Sequence, residues 1–383
     1  MIRIPRIYYL LESVTPFCLK TIDVKRKMDE LTSWSMRYLR ATLFERYGNK
    51  PERTIFTDDE LRRNAGAVLA EYPIVLSTTF SARSCLKGVV YDYLIMDEAS
   101  QVDIATGALA LSAARNAVIV GDLKQLPNIV KDELKLRRDE IFAAYKLPRG
   151  YSFSENSFLK SVCSILPDAP QTLLREHYRC HPKIIEFCNQ KFYNGELIIM
   201  TDDHGEKDAL SAFRTVVGDH RRDHMNQRQI DVTIREALPL LKGVAPEEVG
   251  IVAPYKDQVN AIERQLDKDK CKIEVHTVHK FQGREKDTIV MTTVDDVVTD
   301  FSDDPYLINV AVSRAKQRFC LIVSGNEQPS DSNIADLISY IEYNNFQVVE
   351  SKIYSVFDLL YRQYTKERMV LSRRMSPACC IIC

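Results

Sequence analysis

The chain has 383 residues, 45% of them hydrophobic and 27% charged, with a formal net charge of -1. These are ordinary globular values, and the length allows two or three domains with a full core and excludes a disulfide mini-scaffold. A charge so near zero supplies no global basic field, so any nucleic-acid binding would have to rest on a local groove.

The ten cysteines fit mostly buried thiols in a reducing, cytosolic-type compartment, cytoplasmic or, in a eukaryote, nuclear. No uninterrupted apolar run reaches the roughly 18 residues of a membrane span, so no membrane partner is expected. Residues 1–17 mix basic and apolar side chains, but Glu12 and the lack of a small-residue cleavage site speak against a signal peptide.

Residues 1–70 have a helical pattern and little chemistry. Trp34, Met36, Leu39, Leu43 and Phe44 recur at helical spacing, which predicts core positions, and Asp58-Asp59-Glu60 opens another helix that ends before Pro73. Lys25-Arg26-Lys27 reads as a solvated helix face. From Pro73 the period changes. Ile74-Val75-Leu76 reads as a buried strand ending in the hydroxyls Ser77, Thr78 and Thr79. Val89 to Met96 is a second apolar run, closing on Asp97-Glu98. Residues 101–115 predict an amphipathic helix, and 117–120 a strand closing on Gly121-Asp122 and Gln125. Short β-branched runs that end on polar groups are what parallel strands look like when they deliver ligand-binding residues to their carboxyl ends. Residues 131–170 lead out of this first domain.

A second alternation follows. Tyr178-Arg179-Cys180-His181-Pro182 precedes a helix through Asn189, and residues 200–225, rich in Asp, His, Gly and Arg, read as a long surface loop. A helix over 229–241, a strand over 249–253, a helix over 255–266 and strands over 273–276 and 288–293 come next. A helix over 309–316, a strand over 319–323 and a helical remainder complete the pattern. The fold class is α/β, with two domains of related architecture in tandem.

The chemistry concentrates at few positions. At a strand end, Asp97 can hold a hydrated Mg²⁺ while Glu98 orients and deprotonates a water for phosphoryl transfer. Asp122 and Gln125 arrive on the neighbouring strand, and a Gln beside a metal-bound phosphate can sense it or place the water. Arg179 and Arg314 carry permanent charge in a planar fork suited to a transferring phosphoryl group. Gly283 lets backbone approach a ligand. His177, Cys180, His181 and Cys188 raise the question of zinc, but Cys188 fits a buried helix face. The last residues, Cys380 to Cys383, match a prenylation box in form only, because a final Cys is unusual there. Gly88 and Gly107 read as structural.

In order, Asp97-Glu98-Ala99-Ser100-Gln101, Gly121-Asp122-Leu123-Lys124-Gln125-Leu126-Pro127, Tyr178 to Pro182, Pro254 to Gln258, Thr277 to Asp287 and Asn309 to Lys316 resemble motifs of superfamily 1 helicases. The likeness is to the up-frameshift-like type that moves 5′ to 3′, and it covers residues 71–328. The resemblance implies two tandem RecA-like P-loop NTPase-type domains, the first incomplete: a partial first domain over 71–168 and a second over 169–328. Helical parts at 1–70 and 329–383 flank them.

It further implies ATP and Mg²⁺ as cofactors and single-stranded DNA or RNA as partner. Asp97 would bind Mg²⁺, Glu98 would activate water, and Gln125 would contact the γ-phosphate. Arg179 and Arg314 would complete the catalytic set, with Asp122, Gly283 and Glu285 near the nucleotide. Ser77, Thr78, Thr79, Thr277 and His279 would touch the nucleic-acid backbone, where hydroxyls and amides make sequence-independent contacts.

One departure matters. No G-x-x-x-x-G-K-[ST] occurs in the 383 residues; that Walker A loop cradles the phosphates and supplies a Lys and a hydroxyl. The expectation is a missing amino-terminal segment, or a partner chain carrying Walker A, with the chain inactive alone. The alternative is an ATP-inactive helicase remnant that binds nucleic acid or a protein. Asn128, where a second Pro is common, is a minor departure.

Overall fold

The computed structural model describes residues 24–49, 52–128, 130, 132–241, 243–266 and 272–354. The terminal cysteines Cys379 to Cys383 and the opening residues 1–23 lie outside these. The chain divides into two units, Met1–Val89 and Val90–Cys383.

In the first unit, α1 spans Val24–Tyr47, α2 Asp58–Arg63 and α3 Ala65–Glu71. Thr57 and Glu60 cap α2 reciprocally, each side chain meeting the other's backbone N–H, which satisfies two otherwise orphaned donors. The Arg53 guanidinium lies over the rings of Tyr47 and Tyr72, 4.4 and 4.5 Å from their centroids, and pairs with Glu71 at 3.0 Å. Two sequence expectations fail here. Trp34, Met36, Leu39, Leu43 and Phe44 are helical but all exposed: a helix needs only its own backbone bonds, whereas burial needs a second surface. Ile74 to Leu76 form no strand, and Ile74 and Leu76 are exposed, because a β-branched run becomes a strand only where a neighbour supplies the ladder.

The second unit begins with β1, Tyr91–Met96, followed by α4, Ile104–Leu111, and β2, Ala114–Ile119. The strands pair in parallel, Tyr93 with Asn116 and Met96 with Ile119. Asp103 caps α4 through the Thr106 amide. Two further helices follow, α5 (Asp132–Ala144) and α6 (Phe158–Ile165). Gly107 of α4 lies so close to Phe158 that a Cβ there would come within 2.2 Å of the ring, so this glycine is indeed structural. Gly88, at φ +78°, occupies the left-handed region.

The rest of the unit is built on one six-stranded sheet. Its chain order is β3 (Glu176–His177), α7 (Pro182–Phe192), β4 (Ile198–Ile199), β5 (Leu210–Arg214), β6 (Arg221–Arg222), β7 (Met225–Asn226) and α8 (Gln227–Val232). Then come β8 (Val249–Ala253), α9 (Lys256–Gln265), β9 (Glu274–Thr277), α10 (Val278–Phe281), β10 (Lys286–Thr292), α11 (Pro305–Ser313), β11 (Ala315–Val323), α12 (Asn333–Tyr343) and β12 (Gln347–Glu350). The sheet order is β12-β5-β11-β10-β8-β9, every pair parallel. Small two-stranded pairs, β3 with β4 and β6 with β7, stand apart from it.

Side chains alternate between two cores, as a period of two demands. Ile289, Met291, Phe319, Leu321 and Val323 face α7, α11 and α12, packing with Ile184, Phe187, Leu307, Ile308 and Ile338. Val290, Cys320, Ile322, Ile251 and Ala253 face α8 and α9, packing with Ile230, Val259 and Ile262. The α/β class and the parallel sheet agree with the sequence reading.

Three boundaries are corrected. Residues 200–225 are not one surface loop: β5 runs through them with Leu210 and Ala212 fully buried. The helix expected over 309–316 is α11, ending at Ser313, and Ala315 and Lys316 open β11. The last part is not wholly helical, since β12 adds an edge strand. Among the described residues no helix is long and apolar enough to cross a membrane.

Phe281 is fully buried against this sheet, whereas Tyr343 is 86% exposed. Phe281→Ala should cost about 3–5 kcal/mol in urea unfolding, and Tyr343→Ala less than about 0.5 kcal/mol.

Candidate nucleotide site at the ends of β1 and β2

The two strands of the first sheet end side by side. Glu98 takes a left-handed conformation, φ 51°, which turns the chain sharply after β1. Its amide donates to Asp97 Oδ1 at 2.8 Å, and its own carboxylate accepts from Gln101 Nε2 at 3.1 Å. The ladder continues one step past the strands, with Val120 N donating to Met96 O and Ala99 N to Val120 O. This brings Gly121 against the turn: a Cβ at 121 would lie 3.1 Å from the amides of Ala99 and Ser100. The approach is tight enough that a side chain at 121 would need those neighbours to shift.

The residues after Gly121 are gripped by the second half of the unit. Asp122 Oδ1 accepts from the Lys124 amide at 2.7 Å, and its Oδ2 accepts from Tyr193 Oη at 2.6 Å and Gln125 Nε2 at 3.2 Å. Asn309 Nδ2, on α11, donates to Tyr193 Oη at 2.9 Å and to Lys124 O at 2.8 Å. Leu126 is buried among Cys180, Ile184 and Val310. Burial and the Asp122 carboxylate push the Tyr193 phenol well above its ordinary range, so it stays a donor. Sequence reading missed Tyr193: one tyrosine just past the end of α7 carries no motif signal.

The arginines approach from the amino-terminal edge of the large sheet. Arg314, between α11 and β11, is 5% exposed and donates from a terminal nitrogen to Gln125 Oε1 at 3.0 Å. Its Nε has no acceptor among the described residues. Burial, and then the neighbouring charge of Arg179, lower its pKa, while Glu98 and Glu285 act in the opposite sense. Arg179 pairs with Glu285 at 2.6 Å and Lys316 with the other oxygen of Glu285 at 3.2 Å. The structure therefore brings Glu98, Gln125, Arg179, Glu285 and Arg314 into one electrostatic neighbourhood, with Asp97 and Asp122 beside them. Gly283, at φ +79°, has open space about it.

Of the nucleic-acid candidates, Thr277 and His279 fall elsewhere in the second unit. Thr277 ends β9, its hydroxyl accepting from the Lys280 amide at 3.4 Å. His279, half-buried on α10, has its pKa lowered by burial. Ser77, Thr78 and Thr79 belong to the first unit, where Ser77 and Thr78 share hydrogen bonds with Ser81.

The histidines and cysteines near Arg179 are otherwise engaged. Cys180 Sγ donates to Ser313 O at 3.2 Å, and burial pushes its thiol up to about 12. His177 Nε2 accepts from the Cys180 amide at 2.9 Å. Cys188 is buried on α7, as its position in the helix predicts. His181, Asp203 and Glu206 lie close enough to share an ion. But His181 Nδ1 accepts from the Lys183 amide, so Nε2 carries the proton and donates to Glu206 at 3.1 Å. That leaves no lone pair for a metal.

Family profiles described as AAA domains match residues 40–133 and 154–328, which defines the class: a nucleotide-dependent ATPase fold of two α/β parts. Together with the helicase relatives that follow, these matches support a superfamily 1 helicase of the up-frameshift-like type. An uncharacterized ATP-dependent helicase of Methanocaldococcus jannaschii is 27% identical over 341 residues, 82% of this chain and 47% of that protein. The DNA replication ATP-dependent helicase/nuclease dna2 of Schizosaccharomyces pombe is 28% identical over 311 residues, 70% of this chain and 21% of its length. The chain thus spans less than half of either relative. Among solved structures, an arterivirus nonstructural protein 10 helicase with DNA overlaps 61% of this chain and 40% of its own, at 14% identity and a TM-score of 0.32.

Two measurements check the grip on residues 121–127. Tyr193→Phe removes a donor to a carboxylate and should cost about 1.5–3 kcal/mol in urea unfolding. It should be non-additive with Asn309→Ala by at least about 0.5 kcal/mol. His177, held down to about 4 by burial and then by Arg179, is neutral when folded and should titrate near that value by NMR. Since the unfolded His binds its proton first, stability present above about pH 6.5 should be lost as pH falls toward 4. His177→Gln should remove that part of the slope.

Proposed function

We propose that this chain is the greater part of a helicase motor, hydrolysing ATP between its two α/β halves to move along single-stranded DNA or RNA. The observation that carries the reading is the buried Arg314, joined to Gln125 and flanked by Arg179, Glu98 and Glu285, with one N–H lacking an acceptor. A phosphate oxygen is the acceptor such a fork fits.

Mg²⁺ suits the donor set. Asp97 and Glu98 offer hard oxygens, and Asp97 keeps its second oxygen beyond the one bonded to the Glu98 amide. When bound, the ion supplies charge neutralisation between phosphate groups. The remaining work belongs to the chain: Glu98, bonded to Gln101, would take a proton from water. Arg314 and Arg179 hold negative charge that builds on a transferring phosphoryl group, and Gln125 links that event to the second half.

The phosphate cradle, in this reading, comes from residues other than these 383. The feature that supports it is that no G-x-x-x-x-G-K-[ST] is present. The free thiols among the described residues suit a reducing compartment, cytoplasmic or nuclear.

Single strands should bind to the chain as it stands, and phosphate release should appear once a polypeptide carrying the cradle is supplied. Glu98→Gln should then lower turnover by about 10²–10⁴-fold while sparing strand binding. Turnover by the 383 residues alone would overturn the external cradle, and failure to bind single strands would overturn the motor.

A further inference from the structure

We propose that Cys180 and Thr201 are positioning residues for phosphoryl transfer, holding Arg179 at a fixed place beside Arg314. The reaction rests on the helicase reading; the restraint rests on the hydrogen bonds around Cys180.

The two residues after Arg179 grip the backbone on both sides of Arg314. Arg314 is the C-cap of α11, and the last carbonyls of a helix lack partners within it. Cys180, fully buried, donates from Sγ to one of them, Ser313 O, at 3.2 Å. The His181 amide donates to Lys316 O at 2.6 Å. The other polar groups of Cys180 are committed as well. Its amide donates to His177 Nε2 at 2.9 Å, and its carbonyl accepts from Thr201 Oγ1 at 2.7 Å. The residue next to Arg179 is thereby tied to β3, to α11 and to the segment that follows β4, while His181 is tied to β11.

Such a restraint answers an electrostatic difficulty. After burial, the charge of Arg179 is the largest influence lowering the pKa of Arg314. Each guanidinium disfavours the charge on the other, so neither attracts its neighbour into place. The Arg179 side chain is 46% exposed, and its bond to Glu285 is of the kind that holds its partners loosely. Where Arg179 stands therefore depends on its backbone.

Cysteine suits the position on two counts. It is small and apolar enough to pack with Leu126 and Ile184 in the core. Burial also pushes its thiol up to about 12, so the proton that it donates stays on sulfur. Misplacing a reacting group by about 1 Å can lower turnover about 10²-fold, which gives one bond at Ser313 O leverage over the reaction.

The test follows the Arg314 Nε–H resonance in the full chain, made with isotope-labelled arginine and titrated with inorganic phosphate. Arg314→Lys identifies the signal, and phosphate should shift it in the native chain. Cys180→Ala should weaken phosphate binding about 2- to 10-fold, and Cys180→Ser, which keeps a donor, should restore most of it. Thr201→Val, at a half-buried site outside the core, should weaken binding in the same sense and carries the test if Cys180→Ala does not fold. Unchanged circular dichroism of each variant excludes misfolding as the cause. Native phosphate affinity in Cys180→Ala and Thr201→Val, with only the urea midpoint lowered, would reduce both residues to packing and overturn the proposal while the motor reading stands. An Arg314 signal that phosphate leaves unmoved in the native chain would overturn the anion site, and the motor reading with it.

Discussion

The segment from Gly121 to Pro127 is held from two sides at once, and the rest of the second unit is arranged around that fact. Its backbone continues the β1–β2 ladder, while its side chains belong to the second half. Asp122 accepts from Tyr193, Leu126 is sunk in the second half's core, and Gln125 takes a bond from Arg314. A carboxylate accepting from a phenol is a charge-assisted bond, stronger than its neutral equivalent, and here it shares its partner with Asn309. The two halves cannot separate at this point without exposing a leucine and leaving Asp122, Tyr193 and Asn309 to find water instead.

Arg314 shows why such a grip is needed. A guanidinium that is 5% exposed is costly unless paired and hydrogen-bonded. Its partner here is a neutral carboxamide, and a second arginine stands nearby. Glu285 is no free compensation, since Arg179 and Lys316 both engage it. Glu98 and Glu285 favour the charge from nearby, and an anion bound there would also give the Arg314 Nε–H an acceptor. The hydrogen bonds and packing around Asp122 offset part of that cost, and in doing so keep the arginine where the anion would sit.

Much of this was legible in the residues alone. Asp97-Glu98 and Gly121-Asp122 stand at strand ends because apolar runs that stop on polar groups have few other readings, and β1, β2 and β8 to β11 follow hydrophobic period closely. Leu210 to Phe213 escaped notice because a short strand with a serine in it is lost among Asp, His, Gly and Arg. Ile74 to Leu76 misled for the opposite reason: the composition is that of a strand, but pairing is decided by a neighbour and not by the run itself. Trp34 and Phe44 show the same limit for helices. Tyr193 could not be singled out, because its importance lies in a partner 71 residues away, Asp122. Separation of that size leaves no local pattern.

The six-stranded sheet gives the two ends of the second half different duties. Arg314, Glu285 and Lys316 lie at the amino ends of β10 and β11, whereas Tyr255, His279 and Phe301 follow the carboxyl ends of β8, β9 and β10. A seven-residue strand such as β10 separates those ends by roughly 20 Å. The last five residues of β10 and of β11 are all buried and packed on both faces, so they deform little. A stiff sheet of this kind holds the grip at its amino ends fixed relative to the residues that follow its carboxyl ends.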